Sequence, residues 1–189
     1  MLQKNNKYQR PLFGTKAGLE IASIVFAYPH KSFHIRKLAS ELKCSTTAVT
    51  EGISILKKYN IITIEDTPIT KNIKANLESE AYRHYKQLYN LFMINSFGII
   101  DNLVNIFFPE CITLFGSFAK GEDQENSDID IFILTSKKNY SRKYIIKDFE
   151  ELLNRKINLH IFKSLEKSDS DFKNSLANGI ILYGYLKVI

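Results

Sequence analysis

Leu114-Phe-Gly-Ser-Phe-Ala-Lys-Gly-Glu-Asp-Gln-Glu-Asn-Ser-Asp-Ile-Asp-Ile-Phe-Ile-Leu134 joins a tight glycine turn to a strand whose polar face carries carboxylates. The run before it, Cys111 to Phe115, is apolar and rich in β-branched and aromatic residues, so it reads as a buried strand ending in a turn at Gly116-Ser117. Glycine there lets the backbone approach a ligand closely. Ser117 is expected to cap a short helix through Lys120, whose free N–H groups and positive dipole end favour an anion. Asp128 and Asp130 follow after ten intervening residues, alternating with Ile129, Ile131 and Ile133. Side chains alternate across a strand, so both carboxylates share one face while the isoleucines enter the core. Paired carboxylates repel unless a cation neutralises them. Magnesium is usually held by one or two carboxylates together with waters and substrate phosphates, and the stretch therefore reads as a site for Mg²⁺ and a nucleoside triphosphate. The competing reading is a surface turn before a strand that happens to carry aspartates.

Downstream, residues 140–153 suggest a helix, Lys156–Phe162 a strand, Asp169–Asn178 a helix and Ile180–Tyr183 a last short strand. Alternating strands and helices indicate a central sheet with helices packed on it. Upstream, residues 79–108 read as a long helix stopped by Pro109, with Tyr82, Tyr85, Tyr89 and Phe92 and then Ile100, Leu103 and Phe107 on successive faces. Unbroken, it would span ~45 Å, with Ser96-Phe97-Gly98 as its weak point. It is expected to connect two domains and to offer a homodimer seam.

The beginning of the chain reads as three helices and a hairpin. Ile21, Ile24, Val25 and Tyr28 recur at helical spacing before Pro29. Ser32 is the expected N-cap of a second helix with Ile35, Leu38, Ala39 and Leu42 facing inward. The turn Lys43-Cys44-Ser45 leads to a third helix, residues 46–59. Its Val49, Ile53 and Leu56 point inward, leaving Thr46, Thr47, Thr50, Ser54, Lys57 and Lys58 outward. Hydroxyls and ammoniums on such a helix suit phosphates and base edges. Residues 61–64 and 72–77 alternate as two strands around a loop, residues 65–71, that contains Pro68.

Charge supports a division. The chain has 189 residues and a formal net charge of +6. Residues 1–78 hold 12 Lys and Arg against 6 Asp and Glu, whereas residues 79–189 hold 14 of each sign. The basic excess thus lies wholly in the first part, which points to a polyanion-binding module, with an ordinary basic surface as the alternative. With 44% apolar residues the chain can build real cores. No apolar run approaches the ~20 residues that cross a bilayer, and residues 1–10 lack a signal-peptide core. A cytoplasmic protein with no membrane partner is expected. Cys44 and Cys111 fit reduced thiols rather than a disulfide framework.

Two resemblances follow from these residues. By order of elements, residues 16–77 resemble winged helix-turn-helix domains, which implies DNA as a partner. Gly116-Ser117, ten residues and then Asp128-x-Asp130 resembles the signature of DNA polymerase β-type nucleotidyltransferases. Phe115-Gly-Ser-Phe-Ala-Lys-Gly with Ser127-Asp-Ile-Asp-Ile is similar to their minimal branch, over roughly residues 112–184. The expected fold class is α+β or α/β. It comprises a winged helix in residues 1–78, a connecting helix in 79–110 and a mixed sheet with helices in 111–189. The resemblance implies transfer of a nucleoside monophosphate from a triphosphate, ATP included, to a hydroxyl, with two Mg²⁺ ions. Gly116 and Ser117 would hold the triphosphate, Asp128 and Asp130 would bind metal and act catalytically, and Lys120 would touch phosphate oxygens or stay solvated.

The chain departs from that pattern at one position. Where the superfamily places a third carboxylate between apolar residues, this chain has Ile157-Asn158-Leu159. An amide is a weak neutral ligand and no base. His160, facing the same way, is a substitute base or a structural histidine. Three readings stay open: an active nucleotidyltransferase, a DNA-binding regulator that senses Mg-nucleotide without turnover, and an antitoxin-like partner of a separate toxin protein.

Overall fold

The computed structural model describes residues 13–66, 70–137 and 146–187. The chain divides into two compact units, Met1–Tyr85 and Lys86–Ile189.

The first unit opens with α1, Lys16–Ala27, capped by the Thr15 hydroxyl, which accepts from the Gly18 N–H at 3.0 Å. Ser32–His34 forms β1, followed by α2, Ile35–Glu41, and α3, Thr46–Lys58, which the Ser45 hydroxyl caps. Two strands complete the unit, β2 (Ile62–Asp66) and β3 (Lys71–Ala75), in an antiparallel sheet of order β1-β3-β2. Gly52 shows why α1 and α3 pack so tightly: a Cβ there would lie 2.8 Å from the Gly18 backbone nitrogen. Buried Ile21, Val25, Leu38, Val49, Ile53, Leu56 and Ile73 fill the centre. This order of elements with a three-stranded sheet is a winged helix.

One expectation fails here. Ser32 caps no helix, because Ser32, Phe33 and His34 are extended and pair with Lys74, Ile73 and Asn72 of β3. Three residues are too few for a period-2 pattern to show, and pairing with β3 takes up their backbone groups. Pro68 lies outside the described residues.

Helix α4, Glu80–Ser96, is shared between the units: Tyr82 and Tyr85 pack on Phe26, Phe13 and Tyr59 of the first, and Lys86 begins the second. The expected long helix is broken where glycine permits it. Gly98 has φ +69° and starts α5, Ile99–Phe107, and Phe108 closes it in the left-handed region ahead of Pro109. Then follow β4 (Cys111–Phe115), α6 (Gly116–Lys120), β5 (Ile129–Leu134), α7 (Lys147–Leu153), β6 (Ile157–Phe162), α8 (Ser170–Ala177) and β7 (Ile180–Gly184). Residues 140–145 of the expected helix before Leu153 lie outside the described residues.

The second sheet has the order β6-β5-β4-β7. It is mixed, since β5 runs parallel to β6 and every other pair is antiparallel. Ile112, Leu114, Ile129, Ile131 and Ile133 pack from one face against Ile94, Ile99, Leu103 and Phe107. Phe115 and Phe132 pack from the other face with Leu165, Leu176 and Phe172. This second face carries the polar groups described next. Among the described residues no helix is long and apolar enough to cross a membrane.

Candidate functional site

The β4-to-α6 turn places Gly116 over β5. Its φ of +76° lets the chain pass directly from strand to helix, and a Cβ there would stand 2.8 Å from Asp130 Oδ2. Glycine is therefore required twice, by conformation and by space. Ser117 lies inside α6 and does not cap it. Phe115 holds the cap position without a side-chain bond, because the bend at Gly116 starts the helix two residues earlier than expected. Lys120 is exposed in the last turn of α6.

Register brings the acidic and polar groups together. Asp130 pairs with Phe115 of β4 on one side and with Asn158 of β6 on the other, and Phe132 pairs with His160. The Asn158 amide nitrogen donates to Asp128 Oδ2 and to Asp130 Oδ1, each at 3.2 Å. His160 Nε2 donates to the same Asp130 oxygen at 3.2 Å. Its ring stands edge-on to Phe115, with centroids 5.0 Å apart. The ring nitrogen nearest the carboxylates is thus already engaged by Asp130.

These donors suit a hard divalent cation in one specific way. Two carboxylates converge on a single amide, and among the described residues no group of three or more His, Cys, Asp or Glu side chains could hold a metal ion. Two carboxylates leave the remaining positions to water and phosphate oxygens, which matches the coordination magnesium prefers. Asn158 and His160 lie next to the pair, and both face Asp130 as hydrogen-bond donors.

A buried polar cluster that the sequence pattern did not single out lies beside the loop leading to Asp128. Asp123, 1% exposed at its side chain, pairs through Oδ2 with Lys86 Nζ at 3.3 Å and with Arg155 Nη2 at 3.0 Å. Its Oδ1 accepts from Asn90 Nδ2 at 2.8 Å, and Lys86 also donates to the Asp123 carbonyl. Burial holds the Lys86 ammonium below the ordinary lysine range, with Asp123 opposing that effect and Arg155 adding to it. A signal was present, because Tyr82, Lys86, Asn90 and Ile94 recur every four residues on one buried stripe of α4. Two polar residues on an apolar stripe announce a buried partner.

In the first unit, Thr46, Thr47, Thr50, Ser54, Lys57 and Lys58 are all exposed on α3, opposite buried Val49, Ile53 and Leu56. The wing adds no net positive charge, since Lys71 and Lys74 are balanced by Glu65 and Asp66. Lys71 pairs with Asp66 at 3.1 Å and Lys74 with Glu65 at 2.6 Å, so its cations are matched within the hairpin.

Residues 98–186 match the family described as Polymerase beta, Nucleotidyltransferase. The second unit therefore carries a nucleotidyltransferase domain of the polymerase β type, preceded by a winged helix. Among solved structures the chain is similar to HlyU from Vibrio cholerae, at 15% identity and a TM-score of 0.35, covering 43% of this chain and 84% of that one. It is also similar to the adhesin competence repressor AdcR from Streptococcus pyogenes, at 15% identity and a TM-score of 0.36, covering 48% and 66%. The winged-helix assignment rests on the element order and strand order of the first unit. No curated protein matches the chain.

Proposed function

We propose that the second unit binds a magnesium-complexed nucleoside triphosphate and transfers its nucleoside monophosphate to a hydroxyl acceptor, while the first unit binds DNA through α3. The observation that supports this most directly is the convergence of Asp128 and Asp130 on one amide beside the glycine turn. Asp128 and Asp130 would hold the metal, which when bound supplies charge neutralisation at the phosphates. Gly116 leaves backbone space at the turn, and the first N–H groups of α6 have no acceptor within the helix, as suits phosphate oxygens. Asn158 and His160 orient Asp130 through their hydrogen bonds. Such transfer rests mainly on positioning and electrostatics, which this residue set can provide.

The position of Asn158 favours a second reading: binding of Mg-nucleotide with little or no turnover, as in a regulator or an antitoxin-like partner of another protein. An amide donating to both carboxylates takes the place where a further carboxylate would draw in a second ion. Incubation with Mg²⁺ and α-labelled nucleotides, alone and with cell extract, separates the two. Label transferred by the wild type and lost in Asp128→Asn and Asp130→Asn supports transfer. Nucleotide binding that depends on the same residues without transfer supports the second reading.

A further inference from the structure

The loop from α6 to β5, residues 121–128, ends on Asp128, and a single guanidinium fastens it at both ends. Arg155 Nη2 pairs with Asp123 near the start of the loop, while Nη1 donates to the Gln124 carbonyl at 2.6 Å and to the Ser127 carbonyl at 2.9 Å. The Ser127 carbonyl and the Asp128 N–H belong to one peptide unit. Holding that carbonyl sets the plane from which the Asp128 side chain departs. The Gln124 N–H donates to the Ser127 hydroxyl at 2.8 Å, and the Ile129 N–H donates to the Lys156 carbonyl at 2.8 Å, so the peptide of Asp128 is bounded on both sides. Burying Asp123 and Lys86 at 1% exposure is a poor way to gain stability, because apolar residues of similar volume serve as well or better. What the charged cluster supplies is a planar fork with fixed donor directions, which neither lysine nor an apolar side chain provides.

We propose that Arg155 is a positioning residue for Asp128, aligning its carboxylate with that of Asp130 for a divalent cation. This rests on the metal–nucleotide reading above. Outer groups of this kind typically change metal affinity by about 10- to 100-fold when lost.

The test uses the full chain and Arg155→Lys, which keeps a positive charge for Asp123 but cannot reach both carbonyls. Should the lysine variant not fold, the wild-type chain still carries the test: without metal the amides of Gln124, Ser127 and Ile129 should exchange far more slowly than in an unstructured peptide, and free exchange there would overturn the proposal. Three measurements are made: melting temperature, amide hydrogen exchange without metal, and Mn²⁺ affinity. The expected result is a melting temperature within a few degrees of wild type. Exchange at residues 124–129 should quicken by about tenfold with Ile131 and Ile133 unchanged, and Mn²⁺ should bind about tenfold more weakly. Wild-type exchange in that loop together with wild-type Mn²⁺ affinity would overturn the proposal. So would uniform loss of protection across the sheet, which marks a structural role. If Mn²⁺ binding to the wild type is itself indifferent to Asp128→Asn and Asp130→Asn, the metal reading fails. Exchange in residues 124–129 then decides alone whether Arg155 positions Asp128.

Discussion

Gly116 and Asp130 are fitted so closely that a methyl group on the first would stand 2.8 Å from a carboxylate oxygen of the second, on a backbone already at φ +76°. Gly116→Ala should destabilise the second unit by about 2 kcal/mol, the cost of a non-glycine residue in the left-handed region with a clash added. In an Asp130→Ala background the clash disappears and only the backbone strain stays. A double-mutant cycle by urea denaturation should then show coupling of about 1 kcal/mol. Strict additivity would mean that the two groups do not touch in solution.

Asn158 gives a prediction with two signs. Asn158→Asp removes the amide that donates to Asp128 and Asp130 and sets a third carboxylate against them. Without metal the variant should melt below wild type, since like charges at close range repel. With millimolar MnCl₂ it should gain more in melting temperature than wild type, because a ligand that binds only the folded state stabilises it. Metal-dependent transfer should rise as well. An equal Mn²⁺ shift in both proteins would show that the position does not face the metal.

Lys86 ties stability to alkaline pH. Its folded-state pKa is lowered by burial, so between that lowered value and the ordinary value near 10.4 the unfolded chain binds more protons than the folded one. Stability from this group therefore rises with pH through that window. Lys86→Met should cost about 3 kcal/mol at neutral pH by leaving Asp123 with one cation fewer, and should abolish the rise. Urea unfolding of wild type and variant at pH 8, 9 and 10 measures the difference, which isolates Lys86 from other groups that titrate there.

For the first unit, the exposed end of α3 and the paired wing predict different salt behaviour. If Lys57 and Lys58 meet phosphates, replacing both with Glu should lower the slope of log K against log salt by about 2 and weaken binding to all sequences alike. Lys71→Gln and Lys74→Gln, whose partners are Asp66 and Glu65, should change the slope by much less. Retardation assays across salt concentrations compare the two pairs.

The elements that the sequence announced were those whose backbone or pattern leaves no alternative. The helix break at Gly98 and the strand on which Ile129, Ile131 and Ile133 alternate with aspartate were legible. So was the inward face of α3. Ser32–His34 was not, because a three-residue strand is defined by its partner β3 rather than by its own periodicity. Ser117 was misplaced as a cap since the left-handed φ at Gly116, not a side chain, sets where α6 starts. At the candidate site, the resemblance implied that Asn158 and His160 lie near the aspartates, but their hydrogen bonds depend on the parallel register of β5 and β6. The cluster of Asp123, Lys86 and Arg155 joins three distant parts of the chain, and sequence periodicity reports only one helix or strand at a time.

That parallel register also has a temporal meaning. A parallel pair cannot close through a short turn, so β5 waits for β6 until the crossover through α7 has been made. During synthesis the winged unit is complete by residue 85, while Asp130 gains Asn158 and His160 only some seventy residues later, at the polymerisation rate of about 5–20 residues per second. A nascent chain therefore passes through an interval of several seconds in which its first unit can be folded and its carboxylate pair still lacks its neighbours.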